Sequence, residues 1–165
     1  MSTMRRIAWL VPTLAITFGA LTTGADAADE AKAPQAKSAA SPGSKGHGKM
    51  VFVLTTGLED LQTVNMAIRQ SGVAQKSGFL DETVLLVYGR SVQAFSREVQ
   101  AKPPQVAKAI QEAKEAGVRI LICRVALQKF NIPEDRLEPG VAEVVPNAIE
   151  TLAELVSKGY QIIKY

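Results

Sequence analysis

Met50-Val51-Phe52-Val53-Leu54 is an unbroken run of large apolar residues rich in β-formers, and it stops at Thr55-Thr56-Gly57. A strand with one face in water alternates apolar and polar residues. A strand without alternation is covered on both faces, as in a parallel sheet flanked by helices. The pattern recurs in Thr83-Val84-Leu85-Leu86-Val87-Tyr88, closed by Gly89, and in Val118-Arg119-Ile120-Leu121-Ile122, with Cys123 at its end. Residues 142–145 and 160–163 are expected to add a short fourth and a fifth strand.

Between these runs the spacing turns helical. Leu61, Val64, Ile68 and Val73 predict one helix face, with Glu59 and Asp60 in the first turn, where negative charge is favoured. A threonine of the Thr55-Thr56-Gly57 turn is expected to cap that helix. Pro103 and Pro104 open a second helix in which Val106, Ala109, Ile110 and Ala113 share a face, and Gly117 ends it. A short helix is expected over residues 124–130. Asn147 precedes a last one carrying Ile149, Leu152, Leu155 and Val156, which stops at Gly159. Strands separated by helices imply parallel crossovers. The fold class expected is α/β: a three-layer α/β/α domain over residues 49–165, around a five-stranded, mainly parallel sheet.

Residues 1–27 read as a secretory signal peptide. Arg5 and Arg6 give the positive start, residues 7–21 the apolar stretch, and Ala25-Asp26-Ala27 the small residues of a cleavage site. The apolar stretch falls short of the roughly 20 residues that span a bilayer. Residues 28–48 are low-complexity, rich in Ala, Ser, Gly, Lys and Pro, with no large apolar side chain to offset ordering entropy. They read as a flexible tail. His47 sits in that tail between Gly46 and Gly48, where nothing would hold a general base in place. The expected location is periplasmic, with no membrane association after cleavage.

Composition narrows the function. One cysteine excludes an internal disulfide and a cysteine zinc cage, and one histidine excludes a multi-histidine metal site. No structured histidine is left to activate a serine, so a Ser-His-Asp triad is excluded. From residue 49 onward there are 14 Lys and Arg against 13 Asp and Glu. The domain is thus nearly neutral and lacks the basic cluster that nucleic-acid binding needs. Neither a phosphate-binding loop nor a dinucleotide-binding glycine motif is present. No cofactor and no metal are expected.

In an open parallel sheet, ligands bind beyond the carboxyl ends of the strands. Those ends carry Thr55, Thr56 and Gly57; Gly89 and Arg90; Cys123 and Arg124; and Pro146 and Asn147. Cys123 is the candidate catalytic residue. At a strand-to-helix junction, backbone N–H groups and the helix dipole favour a thiolate, and Arg124 adds a neighbouring positive charge. Thr55, Thr56, Gly57, Gly89, Arg124 and Asn147 are the candidate ligand-binding residues. The simpler roles are a buried cysteine packing as a small hydrophobe, a plain turn at Thr55-Thr56-Gly57, a solvated Arg124 and a capping Asn147.

Residues 118–165 resemble the DsrE/DsrF-like sulfur-relay family. The resemblance is carried by the apolar strand ending in Cys123, by Ile132-Pro-Glu-Asp-Arg-Leu-Glu-Pro-Gly140, by Val144-Val-Pro-Asn147 and by Gly159-Tyr-Gln-Ile-Ile-Lys164. The front half agrees through its first strand and Thr55-Thr56-Gly57. The resemblance implies a three-layer α/β/α fold and assembly into homo- or hetero-oligomers. It also implies that the cysteine after this strand accepts sulfur as a persulfide for a partner. Cys123 is the matching residue. Where related sequences place small polar residues after it, this chain has Arg124-Val125-Ala126.

Three functions compete on these grounds. The first is a periplasmic sulfur carrier or sulfurtransferase-like protein that needs a sulfur donor or acceptor protein, because a single thiol cannot resolve its own intermediates. The second is a non-catalytic, oligomeric small-ligand-binding module in which Cys123 only packs. The third is a redox sensor that pairs Cys123 between molecules.

Overall fold

The computed structural model describes residues 48–99, 102–141 and 143–165. The signal segment, the tail with its His47, and Ala142 at the start of the fourth expected strand lie outside the described residues. Five strands form one sheet: β1 (Gly48–Leu54), β2 (Leu80–Val87), β3 (Arg119–Cys123), β4 (Glu143–Val145) and β5 (Tyr160–Lys164). Their order across the sheet is β4-β3-β2-β1-β5, and every neighbouring pair is parallel. The first strand begins at Gly48, one residue inside the stretch read as tail.

Burial explains the missing alternation. Val51, Leu54, Val84, Leu85, Leu86, Val87, Ile120 and Ile122 have no solvent-accessible surface at all. Residues on opposite sides of each pleat are equally covered, so both faces of the central strands are dry. Burying each such side chain stabilises the fold by about 1.5–3 kcal/mol before entropy is counted.

The helices are α1 (Leu61–Lys76), α2 (Pro104–Glu115), α3 (Arg124–Lys129) and α4 (Ala148–Ser157). Helices α1 and α2 pack on each other, and α1 also packs on β1 and β2. A Cβ placed on Gly72 would come within 3.5 Å of the Ala113 backbone, so the two helices cross closely there. The predicted α2 face is buried in full: Val106, Ala109, Ile110 and Ala113.

Four expectations are corrected. Glu59 and Asp60 form a 3-10 turn (Leu58–Asp60) ahead of α1 rather than its first turn. The cap is Asp60, whose carboxylate accepts from the Thr63 N–H at 3.0 Å, so no threonine of the preceding turn serves. Val73 does not join the core; it is 70% exposed, because the covered stripe of α1 has moved on to Ser71 and Gly72. On α4 only Leu155 of the four named apolar residues is buried, while Ile149 and Val156 face outward.

Chain order along the sheet decides where a site can lie. From β1 the chain steps outward to β2, β3 and β4, each beside the last. From β4 it turns back and crosses to the far edge, where β5 lies beside β1. Helix α4 makes that return and packs over β2 and β5. The connections leaving β3 and β4 therefore run in opposite directions. Such divergence opens a crevice at the carboxyl ends of the two strands.

Candidate functional site

Cys123 ends β3 and caps α3 with extended backbone angles of φ −74° and ψ 118°. Ile120, Leu121 and Ile122 anchor it from one side, and Ala126 and Leu127 bury the inner face of α3 on the other. Asn131, at φ 53°, adopts the left-handed geometry that ends this short helix. Across the crevice, β4 leads through Pro146 to Asn147. The Asn147 side chain accepts from the Ile149 N–H at 2.9 Å and so caps α4. Tyr88 and Gly89 come from the end of β2. Gly89 sits at φ +68°, a conformation that glycine adopts without strain.

These elements enclose a cleft of about 240 Å³. Cys123, Tyr88 and Gly89 line it from the ends of β2 and β3. Val125, Ala126 and Lys129 of α3 line one wall, and Asn147, Ala148 and Ile149 at the head of α4 line the other. Cys123 is 6% exposed, and while its backbone pairs with β4, its thiol makes no hydrogen bond to any described residue. Its sulfur is therefore recessed at the edge of the core and borders the cleft rather than standing on the surface. Val125 and Ile149 are 57% and 59% exposed at the rim. The walls are nearly all apolar, and among the described residues Lys129 is the only charged one lining the cleft.

The structure brings together three of the seven sequence-predicted residues: Cys123, Gly89 and Asn147. Arg124 does not line the cleft; its Nε donates to Glu134 Oε1 at 2.8 Å, tying α3 to the following turn. At the end of β1, the Thr55 N–H and Oγ1 both donate to the Tyr165 carbonyl, at 3.0 and 2.9 Å. The Gly57 N–H donates to the chain's own Glu59 carboxylate at 3.1 Å. Those backbone hydrogen bonds, led by Glu59's own N–H and then that of Gly57, hold the Glu59 carboxyl below its ordinary range. Thr56 lies half-buried between these two anchored residues.

Sequence reasoning missed Lys129, Tyr88, Val125, Ala126, Ala148 and Ile149. Helical spacing held a usable signal for the first wall. Val125 or Ala126 and Lys129 lie three or four positions apart and so share one face of α3. No such signal existed for Ile149, because facing the cleft depends on where α4 starts after crossing from β4.

Other features lie away from this cleft. A hollow of about 440 Å³ along α1, lined by Gln62, Asn65, Met66, Arg69, Gln70 and Val73, holds no nucleophile. At the opposite ends of the strands, Arg119 bridges Glu82 and Glu143. Burial, and then a hydrogen bond to Glu82, push the Tyr160 hydroxyl up to about 12. Among the described residues no cluster of three or more His, Cys, Asp and Glu could hold a metal ion. No helix among them is long and apolar enough to cross a membrane.

The fold is shared with solved structures at low identity. The protein of unknown function MTH1491 from Methanobacterium thermoautotrophicum is 21% identical, with a TM-score of 0.58 over 72% of this chain and 99% of that one. The conserved protein of unknown function BT1422 from Bacteroides thetaiotaomicron is 20% identical, with a TM-score of 0.56 over 71% and 94%. The ychN protein from E. coli is 14% identical, with a TM-score of 0.57 over 72% and 99%. No curated protein matches. The sequence matches the DsrE/DsrF-like family over residues 48–165, and the chain, with its all-parallel five-stranded sheet and its cysteine at the end of β3, belongs to that family.

Proposed function

We propose that this protein is an exported sulfur carrier or sulfurtransferase-like protein in which Cys123 accepts sulfur as a persulfide. One observation carries the reading: the chain's single thiol borders the cleft between the diverging connections of β3 and β4. Family membership supports a sulfur-relay-type fold and adds weight to that position. In the step proposed, the Cys123 thiolate attacks the sulfane sulfur of a donor. The donor's S–S bond breaks, and its electron pair leaves with the remaining fragment. The product is Cys123–S–S⁻, and no external oxidant or reductant is consumed. Delivery to an acceptor thiol reverses the same chemistry.

The test is intact mass after incubation with a sulfane-sulfur donor. Wild type is expected to gain one sulfur atom, about 32 Da, and Cys123→Ser none. A wild type that gains nothing, or a Cys123→Ser variant that gains as much, overturns the reading.

The same proposal includes self-association and export. Exposed Val125, Ile149 and Val156 give α3 and α4 an apolar surface suited to a second copy of the chain. Sedimentation of wild type against Ile149→Asp/Val156→Asp should show loss of an oligomer. Mature protein recovered from a periplasmic extract should begin at Ala28. A second reading is favoured by the depth of Cys123 among core residues: a small-ligand module in which the thiol only packs. It predicts slow native alkylation of Cys123 and unchanged assembly of Cys123→Ser, whereas the first predicts rapid alkylation.

A further inference from the structure

The two cations near the cysteine differ in one respect that sequence does not show. Arg124, its immediate neighbour, is neutralised by Glu134 and turned out of the cleft. Lys129, six positions on, lines the cleft and has no ion-pair partner among the described residues. Around it the walls are Val125, Ala126, Ala148 and Ile149. Lys129 is itself solvent-exposed, so its charge reaches a ligand at the cleft through water and acts most strongly at low ionic strength. The cleft, at about 240 Å³, lies below the usual range for drug-sized ligands and suits a molecule of a few heavy atoms.

We infer that Lys129 is the specificity residue of this cleft, and that the small co-substrate of Cys123 is an anion of the thiosulfate type. That the anion carries transferable sulfur rests on the proposed function; that it is an anion rests on Lys129. Lys129 binds the oxyanion end and directs the outer sulfur to Cys123. The thiolate attacks that sulfur, the bond to the sulfonyl sulfur breaks, and its electron pair leaves as sulfite. Charge and atoms balance, since a thiolate and thiosulfate become a persulfide anion and sulfite. The ammonium group stabilises the leaving oxyanion without donating a proton.

The test compares alkylation of Cys123 by iodoacetate, an anion, and by iodoacetamide, its neutral analogue, in the full chain. A change in thiolate fraction alters both rates alike and cancels in their ratio, so the ratio reads local charge selection. Lys129→Gln is expected to lower the iodoacetate-to-iodoacetamide ratio about threefold or more, Lys129→Arg to preserve it, and high salt to erase the difference. Sulfur uptake from thiosulfate should fall in step with the ratio. An unchanged ratio in Lys129→Gln overturns the inference and leaves the persulfide reading standing. A ratio that falls in a protein taking up no sulfur from any donor overturns the persulfide reading and keeps the anion site. A Cys123 inert to both alkylating reagents overturns both.

Discussion

The turns that follow β1 and β3 occupy the same rim of the sheet, and they end differently. After β1 the chain spends its own polar groups on itself. Thr55 donates twice to Tyr165, Gly57 donates to Glu59, and Arg90 lies against Gly57. After β3 the turn leaves the Cys123 thiol without a hydrogen-bond partner among the described residues, beside a cleft. Both sit at a carboxyl strand end, so that position alone does not make a site. The difference is topological. The connection leaving β1 runs the same way as that leaving β2, and the Tyr165 carbonyl after β5 takes up the Thr55 donors. The connections leaving β3 and β4 part, and nothing in the described chain closes the space between them.

The largest effect is expected at the closed turn. A Cβ on Gly57 would stand 2.6 Å from Glu59 Oε2, 2.7 Å from Arg90 Cβ and 3.2 Å from the Arg90 carbonyl oxygen. The backbone there is extended, at φ −98°, so the obstacle is contact rather than dihedral strain. Gly57→Val should cost about 2 kcal/mol in urea unfolding, within the usual range for overpacking. If the two turns are separate in function, the alkylation rate of Cys123 in the folded protein stays unchanged. A slowed thiol would mean that the β1 turn belongs to the site after all.

The open turn should respond in the opposite way. Val125 stands at the rim of the cleft and is more than half exposed, so a larger side chain there displaces water rather than core atoms. Val125→Trp should slow iodoacetamide modification of Cys123 roughly tenfold, about 1.4 kcal/mol in barrier height. Its urea midpoint should match wild type. An unaltered rate would show that reagents reach the sulfur by another route.

The same contrast shows what the sequence made legible. Unbroken apolar runs such as Met50–Leu54 and Thr83–Tyr88 revealed a doubly covered parallel sheet, because period-two alternation can vanish only when both faces are dry. Cys123 could be placed at a strand end from the last residue of such a run. Lys129 and Ile149 escaped because their roles depend on strand order, and strand order leaves no periodic trace. Val73 misled for a related reason. A helix of 16 residues can outrun the element that covers it, so apolar spacing near its end need not mean burial. The partners of Thr55 and Gly57 were hidden as well. One lies 110 positions away at Tyr165; the other, Glu59, is placed by the spacing in the first turn of a helix, where nothing marks it as a partner of Gly57.

A smaller effect is expected at Thr55. Its hydroxyl donates to the Tyr165 carbonyl, which also accepts from the Thr55 N–H. Thr55→Val keeps the shape and the backbone bond and removes one part-buried donor, so unfolding should become easier by about 1 kcal/mol. Thiosulfate uptake and thiol alkylation should both stay at wild-type values. A loss of either with no loss of stability would place Thr55 in ligand binding.

Glu59 gives the smallest effect and the most specific one. Its carboxyl is held below the ordinary 4.5 by its own N–H and that of Gly57, with a contribution from the Arg90 charge. A carboxyl whose pKa is lower in the folded state stabilises that state when ionised. The contribution is complete above the unfolded value and is lost as pH falls through the lowered folded value. Glu59→Gln retains an oxygen to accept from Gly57 but does not titrate. Wild type should therefore melt slightly above Glu59→Gln at neutral pH, and the gap should close as pH drops below 4.5. Every other titrating group is common to both proteins and cancels in the difference. Because the side chain is solvent-exposed, added salt should trim the part of the gap that comes from Arg90. A gap that widened in acid would mean that the Gly57 N–H is not satisfied by this carboxylate, and the β1 turn would then have an open donor to offer an anion.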